Sequence, residues 1–307
     1  MTPPAPAQAD NLRGILLMVA SMAGFAMQDM FIKWMAADLP TGQILLVLGA
    51  LGLPIFALMA RLDGRQVFTR DALHPAVLVR NLGEVVGTCG FITALALIPL
   101  STMSAVFQAM PLVVTMGAAL FLGEAVGWRR WTAIGVGCIG VLLIIRPGTD
   151  GFRIEALWAL LAVAGLGLRD LASRRVPKAI SNTQLSAWGF GTVALLGVGM
   201  LTLSGGAVLP SPVQSVQLVA AVGFGVAAYW GLTAASRLGE VAAVTPFRYS
   251  RLVFAMIIGV LVFGERPDAL TLAGAGLIIG SGLYSFARER NLARARKRAL
   301  HSTAAAG

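Results

Sequence analysis

The spacing of the apolar segments constrains this chain most. Ten can be drawn, running roughly 14–34, 42–60, 73–97, 100–122, 130–146, 154–173, 184–203, 214–236, 239–263 and 268–287. Each is close to the roughly 20 residues a helix needs to cross the hydrocarbon core. The breaks between them are charged, Gly and Pro clusters such as Asp63-Gly64-Arg65, Pro147-Gly148, Arg174-Arg175-Val176-Pro177 and Arg266-Pro267-Asp268. Backbone in lipid finds no water to bond, so segments of this length are expected to be helices. The sequence lacks the alternating ten-residue strands of a membrane β-barrel. Composition agrees, with 57% hydrophobic and 12% charged residues against about 45–50% and about 25% in soluble domains. An ordinary soluble fold and a disordered chain are both excluded.

The net charge of +10 does not point to nucleic acid, because too few polar residues remain to build a solvated basic domain. Its placement is a topology signal instead. With the N-terminus inside, sixteen Lys and Arg fall on the inner loops and termini and four on the outer loops; Arg80, Arg169, Arg248 and Arg251 lie within spans. Both termini are therefore expected in the cytoplasm. The basic stretch from Arg288 to Arg298 is a candidate for contact with anionic membrane lipids. The first apolar run has no short core ending in a small-residue cleavage site, and reads as a first span. Cys89 and Cys138 lie inside apolar runs, and His74 and His301 outside them. No disulfide framework, metal site or cofactor is expected.

Charged and polar residues inside spans carry most of the functional information, because each costs about 2.5–3.5 kcal/mol on insertion scales. Counting from Gly239 at 1.5 Å per residue, Arg248 lies roughly 14 Å deep and Arg251 roughly 18 Å. Both are near the middle of a core about 30 Å thick. No acidic residue lies within a turn of either. They are expected to face a wet cavity, an anionic group of a substrate, or a carboxylate from another span such as Glu84 or Asp170. A guanidinium suits bidentate binding of a carboxylate.

Arg80 and Glu84 are spaced i, i+4 and are expected to pair; Glu84, a turn deeper, is a candidate proton carrier. Asp29 and Lys33 have the same spacing, and a local ion pair is expected there too. Arg169 and Asp170 are read as interfacial, near the cytoplasmic edge. Pro246 bends the ninth span beside Arg248, and Gln108 and Pro111 stand at comparable depth in the fourth. Polar groups beside a proline at mid-depth mark spans four and nine as lining a pathway. Phe107, Trp188, Tyr229 and Tyr249 are candidate pocket aromatics that suit stacking on an aromatic substrate.

The two halves share a pattern. Ser104-Ala105-Val106 then Leu122-Gly123-Glu124 in the first half answers Ala243-Val244-Thr245 then Phe263-Gly264-Glu265 in the second, and superposing Glu124 on Glu265, an offset of 141 residues, also places Ser104 on Thr245 and Gly135 on Gly276. Each half has five spans, and an odd number makes the second copy enter from the opposite side. Inverted repeats of this kind place a substrate site near the midplane. The Gly135-Val-Gly-Cys-Ile-Gly140 match to a dinucleotide motif sits inside an apolar helix without a preceding strand, so it is a packing face. No Walker sequence and no membrane histidine are present, and an enzyme is not expected.

GEAVGWRRWTAIGVGCIGVLLIIRPG (123–148) and VTPFRYSRLVFAMIIGVLVFGERPDALTLAGAGLIIGSGLY (244–284) resemble the paired signatures of the EamA family, in the drug/metabolite transporter superfamily. Within it the chain looks most like the YddG-type exporters of amino acids, aromatic ones in particular. The riboflavin and S-adenosylmethionine carriers and the broad drug exporters are the alternatives. The resemblance implies an all-α inner-membrane carrier of ten helices in two inverted five-helix repeats, working as a monomer by alternating access. The expected organisation is a cytoplasmic segment 1–13, a first repeat 14–148, a second repeat 149–288 and a basic cytoplasmic tail 289–307. Arg248 and Arg251 are the expected substrate-binding residues, with Gln108, Tyr249, Phe107, Trp188 and Tyr229 around them. Glu84 is the expected coupling residue and Pro111 and Pro246 the hinges.

Overall fold

The computed structural model describes residues 8–124, 126–149, 151–238 and 241–305. The first seven residues of the N-terminal segment, and Gly239 where the ninth span was counted from, lie outside them. The helices follow the apolar segments. They are α1 (Gln8–Met35), α2 (Thr41–Leu62), α3 (Pro75–Leu97), α4 (Leu100–Phe107), α5 (Met110–Phe121), α6 (Trp128–Ile145), α7 (Leu157–Ser173), α8 (Asn182–Leu203), α9 (Pro212–Leu238), α10 (Val241–Val244), α11 (Ser250–Phe263) and α12 (Ala269–Ala305). No strand occurs among the described residues. The fourth span is α4 with α5, and the ninth is α10, a 3-10 turn over Thr245–Tyr249, and α11.

Among the described residues nine spans are long and apolar enough to cross a membrane. The remaining expected span, sixth in chain order, is α7, which has only 17 residues. A 3-10 turn at Ile154–Ala156 precedes it, and Arg174-Arg175-Val176-Pro177 follows its end, so apolar helix-forming sequence is short on both sides. At the other extreme, α12 runs for 37 residues and takes the tail sequence into the same helix.

Local sequence explains several of the helix starts. Pro75 opens α3, where its missing N–H costs nothing, and His74 caps the helix by accepting from the Ala76 N–H. Ser181 and Gln184 form a reciprocal capping box at the start of α8. Asp268 caps α12 by accepting from the Thr271 N–H at 2.9 Å.

The helices pack in four pairs, α2 with α8, α3 with α7, α1 with α9, and α6 with α12. Exchanging the two five-span halves leaves this pairing unchanged, since α3–α7 and α1–α9 swap and the others map onto themselves. The offset of 141 also recurs in the backbone. It relates the starts of α4 and α10 and those of α6 and α12. It relates as well the left-handed turns at Gly123 (φ 69°) and Gly264 (φ 64°), a conformation only glycine adopts without strain. A largely aliphatic core, including Leu95, Leu100, Met103, Val106 and Ile278, fills the space between the pairs.

Packing in lipid gains nothing from leaving water, so it depends on close approach. At the α3–α7 crossing, a Cβ on Gly165 would lie under 3.0 Å from the backbone of Gly87. Gly165→Leu is therefore expected to force α3 and α7 apart, costing about 1–3 kcal/mol. A lower melting temperature of the purified protein in detergent checks this; an unchanged melt would contradict it.

Candidate functional site

The two broken spans meet at their breaks. Span four is interrupted at Gln108 and Ala109, immediately before Pro111 in the first turn of α5. Span nine is interrupted by the 3-10 turn that Pro246 opens. The Gln108 Nε2 donates to the Tyr249 carbonyl at 3.2 Å, and these residues are 141 apart, the repeat offset. A carbonyl left over by the irregular turn is thus bonded by the equivalent residue of the other half, which makes non-helical backbone tolerable at this depth. Tyr249 packs its ring against α12 at Gly282, where a Cβ would collide with the hydroxyl.

Two arginines follow the break, and their surroundings differ. Arg251 donates twice to Asp29 Oδ2 of α1, at 2.7 and 3.2 Å. Its guanidinium lies 5.2, 5.5 and 5.0 Å from the ring centres of Phe25, Phe91 and Phe107. This charge is compensated by a carboxylate and by three ring faces. Arg248 is exposed and makes no hydrogen bond or ion pair with another described residue. Arg248 is thus an exposed guanidinium without a bonded partner among the described residues.

A second charged cluster bridges α3 and α7. Arg80 pairs with Glu84 at 3.1 Å, as the spacing implies. Glu84 also accepts from Arg169 at 3.3 Å and from the Thr88 hydroxyl at 3.3 Å. Arg169 continues to Asp170 at 2.9 Å. Arg169 and Asp170 thus join the ion pairs at the contact of α3 with α7. Arg80 fits because α8 has no side chain at Gly189, where a Cβ would meet the guanidinium.

The expected Asp29–Lys33 pair does not form. Lys33 instead donates to the Leu95 and Ile98 carbonyls at 3.1 and 2.7 Å, at the C-terminal end of α3. Carbonyls at a helix C-terminus have no partner within their own helix and attract a cation. Asp29 is left for Arg251.

The candidate aromatics are separated. Phe107 stacks edge-on against Phe91, 5.2 Å between centres, beside Arg251. Trp188 donates to the Val67 carbonyl at 2.8 Å. Tyr229 shares a hydrogen bond with Ser186 at 2.8 Å and packs edge-on against Phe56. Phe107 and Tyr249 adjoin the broken spans, whereas Trp188 and Tyr229 belong to the cluster around Phe56.

The Gly-Glu motif of the second half acts on a helix of the first. Glu265 accepts from the Leu100 N–H, from the Ser101 N–H at 2.9 Å and from the Ser101 hydroxyl at 2.7 Å. It thereby caps α4, which has no side-chain cap of its own. Its repeat counterpart Glu124 pairs instead with Arg174 at 2.8 Å, where both side chains are about half exposed. Nearby, Arg146 ends α6 in the left-handed conformation and bonds Asp268. The hydrogen bonds from Arg146 and from the Thr271 N–H hold the Asp268 carboxyl well below the usual carboxylate range.

Spans of this kind, broken at mid-depth and carrying ionised side chains there, define a multi-pass membrane transporter. The profile of the EamA-like transporter family matches residues 12–146 and again 153–286, and the chain belongs to that family. It is 27% identical over 280 residues to a riboflavin transporter of Rhizobium johnstonii, covering 90% of this chain and 91% of that one. It is 27% identical over 213 residues to an S-adenosylmethionine uptake transporter of Rickettsia felis, covering 69% and 72%. It is 30% identical over 276 residues to the pseudopaline exporter CntI of Pseudomonas aeruginosa, covering 87% and 93%. A solved crystal structure shares the fold with a TM-score of 0.59 at 20% identity, covering 91% of this chain and 98% of that one.

Two outcomes follow from the caps. Glu265→Ala strands the Leu100 and Ser101 N–H groups and is expected to cost about 1–3 kcal/mol, whereas Glu124→Ala, at a half-exposed pair, is expected to cost under about 1 kcal/mol. Thermal melts of the two variants check the contrast. Asp268→Asn should destabilise at pH 7, because a carboxylate with a depressed pKa contributes stability above its unfolded value, near 3.9. That contribution fades as pH falls below about 4, so the gap to wild type should close there.

Proposed function

We propose that this protein is a secondary carrier for amino acids, aromatic ones included, and related small metabolites bearing a carboxylate. In this reading it exports them across the bacterial inner membrane by alternating access between two inverted repeats, and both termini are cytoplasmic. One observation carries the reading. Arg248 stands at the break of span nine, exposed and without a bonded partner among the described residues, while Arg251, one turn on, is already paired. A guanidinium at that depth is costly unless an anion or water meets it, and a carboxylate fits its fork geometry. Broken spans that touch through Gln108 and Tyr249 supply a place where one half can move against the other.

A second reading is favoured by the relatives: two are named for S-adenosylmethionine uptake and riboflavin transport. S-adenosylmethionine is itself an amino-acid derivative with a carboxylate, so Arg248 serves that substrate class equally, with transport inward.

Uptake into liposomes containing the purified protein separates these readings. The panel holds phenylalanine, tryptophan, methionine, S-adenosylmethionine, riboflavin and a lipophilic cation. Saturable amino-acid flux is expected, and Arg248→Ala should reduce it at least tenfold while the melting temperature is kept. Flux of riboflavin or the cation alone would overturn the substrate assignment. Undiminished flux by a folded Arg248→Ala protein would remove Arg248 from the site. Glu84, a carboxylate held between two arginines, is the candidate link to a proton gradient. Glu84→Gln should abolish any gradient dependence of the flux, and a retained dependence would exclude it.

A further inference from the structure

The last spans of the two halves, α6 and α12, pack through small residues. A Cβ on Gly140 would lie 2.7 Å from the Gly274 carbonyl oxygen, and one on Gly137 2.9 Å from Ser281 Oγ. Toward Trp128, where α6 begins, and Arg288, where the apolar part of α12 ends, the helices leave a cleft of about 360 Å³ between them. Trp128, Arg129 and Thr132 line it from α6, and Gly280, Ser281 and Tyr284 from α12. Trp128 and Tyr284 are 69% and 50% exposed, as aromatic side chains are at the level of lipid headgroups.

The cleft is basic and lacks a counter-charge. Among the described residues no carboxylate lines it. Arg129 is exposed, with its guanidinium 5.3 Å from the Trp128 ring centre, and makes no ion pair with a described residue. On α12 the stripe of Gly274, Ile278 and Ser281 that meets α6 continues through Ser285 and Arg288, at alternating steps of four and three residues. Ser285 is 9% exposed, yet its Oγ has no hydrogen-bond partner, and the buried Arg288 Nη1 has none either. Buried polar atoms are normally bonded, so each exception needs a reason. Two guanidiniums and a hydroxyl at one end of this helix pair are thus donors without acceptors, a set that suits a phosphate.

We propose that the cleft between α6 and α12 binds the headgroup of an anionic phospholipid. Its acyl chains lie along Val136, Ile139 and Leu142, an exposed apolar row that leads away from the cleft along α6. That row favours a lipid over a soluble phosphate. Arg129 and Arg288 meet the phosphate from the two helices, each guanidinium offering it paired donors. Ser285 adds a hydroxyl bond, and Trp128 and Tyr284 flank the headgroup. A zwitterionic headgroup brings an ammonium into the same basic space, so the site prefers a lipid with net negative charge. Two arginines at the membrane surface correspond to about 30-fold in affinity, about fivefold each. A lipid held here bridges the last spans of the two halves at the end where they part. The inference is independent of the substrate reading above.

The test titrates the purified full chain in detergent with phosphatidylglycerol, phosphatidylcholine or inorganic phosphate. Native mass spectrometry reads the bound lipid, and a thermal melt reads the stabilisation. Phosphatidylglycerol should bind at least tenfold more tightly than phosphatidylcholine and raise the melting temperature, and inorganic phosphate should not raise it. Arg129→Gln combined with Arg288→Gln should bring the two lipids level. Arg70→Gln, at an exposed arginine on the 3-10 turn before α3, should keep the preference. Equal binding of the two lipids by the wild type, or a preference that survives the double variant, would overturn the proposal. So would stabilisation by inorganic phosphate alone, or a preference lost equally in Arg70→Gln, which is diffuse charge attraction. The wild-type comparison needs no variant, so a misfolded double variant leaves the proposal open to refutation.

Discussion

A charge inside a bilayer has to be compensated, and the Arg251–Asp29 pair shows how this chain does it. The carboxylate comes from α1, the guanidinium from the start of α11, and three phenylalanines close around the cation. Separating a buried pair leaves an uncompensated ion, which costs several kcal/mol. The broken ninth span is therefore anchored to the first span just beyond its break. The same constraint explains Arg80, Glu84 and Arg169, which tie α3 to α7, and Lys33, which finds carbonyls at the end of α3. With these pairs closed, Arg248 stands out, and the functional account depends on that contrast.

The breaks themselves are held by hydrogen bonds that span the two halves. Gln108 bonds the Tyr249 carbonyl, and Glu265 caps α4 from 165 residues away. Each contact lies at an end or a break of a half-helix, where backbone groups lack partners within the helix. Irregular backbone at depth is usable only when such groups are met by the protein or by water. The fold thus places its discontinuities beside the candidate site and ties them with bonds that can be remade.

Much of this was legible in the residues. The apolar segments gave the span positions, Pro111 and Pro246 marked the breaks, and the 141-residue offset foretold the matching helix starts and the Gly123 and Gly264 turns. The i, i+4 rule succeeded for Arg80 and Glu84 and failed for Asp29 and Lys33. Spacing along one helix says nothing of the carbonyls and cations that other helices bring near. For the same reason Asp29 could not be matched to Arg251, 222 residues away, nor Glu84 to Arg169 on another helix. Glu265 offered a signal, its repeat position one half-turn beyond span nine. Its target at Leu100 and Ser101 was visible only once the chain was folded.

The account rests on a substrate carboxylate binding Arg248. A structure of the purified protein with a transported amino acid bound measures this most directly. The account predicts a carboxylate oxygen at about 2.7–3.2 Å from the Arg248 guanidinium, with Arg251 still bonded to Asp29. A substrate seated away from Arg248, or one that displaces Asp29 to reach Arg251, would contradict it.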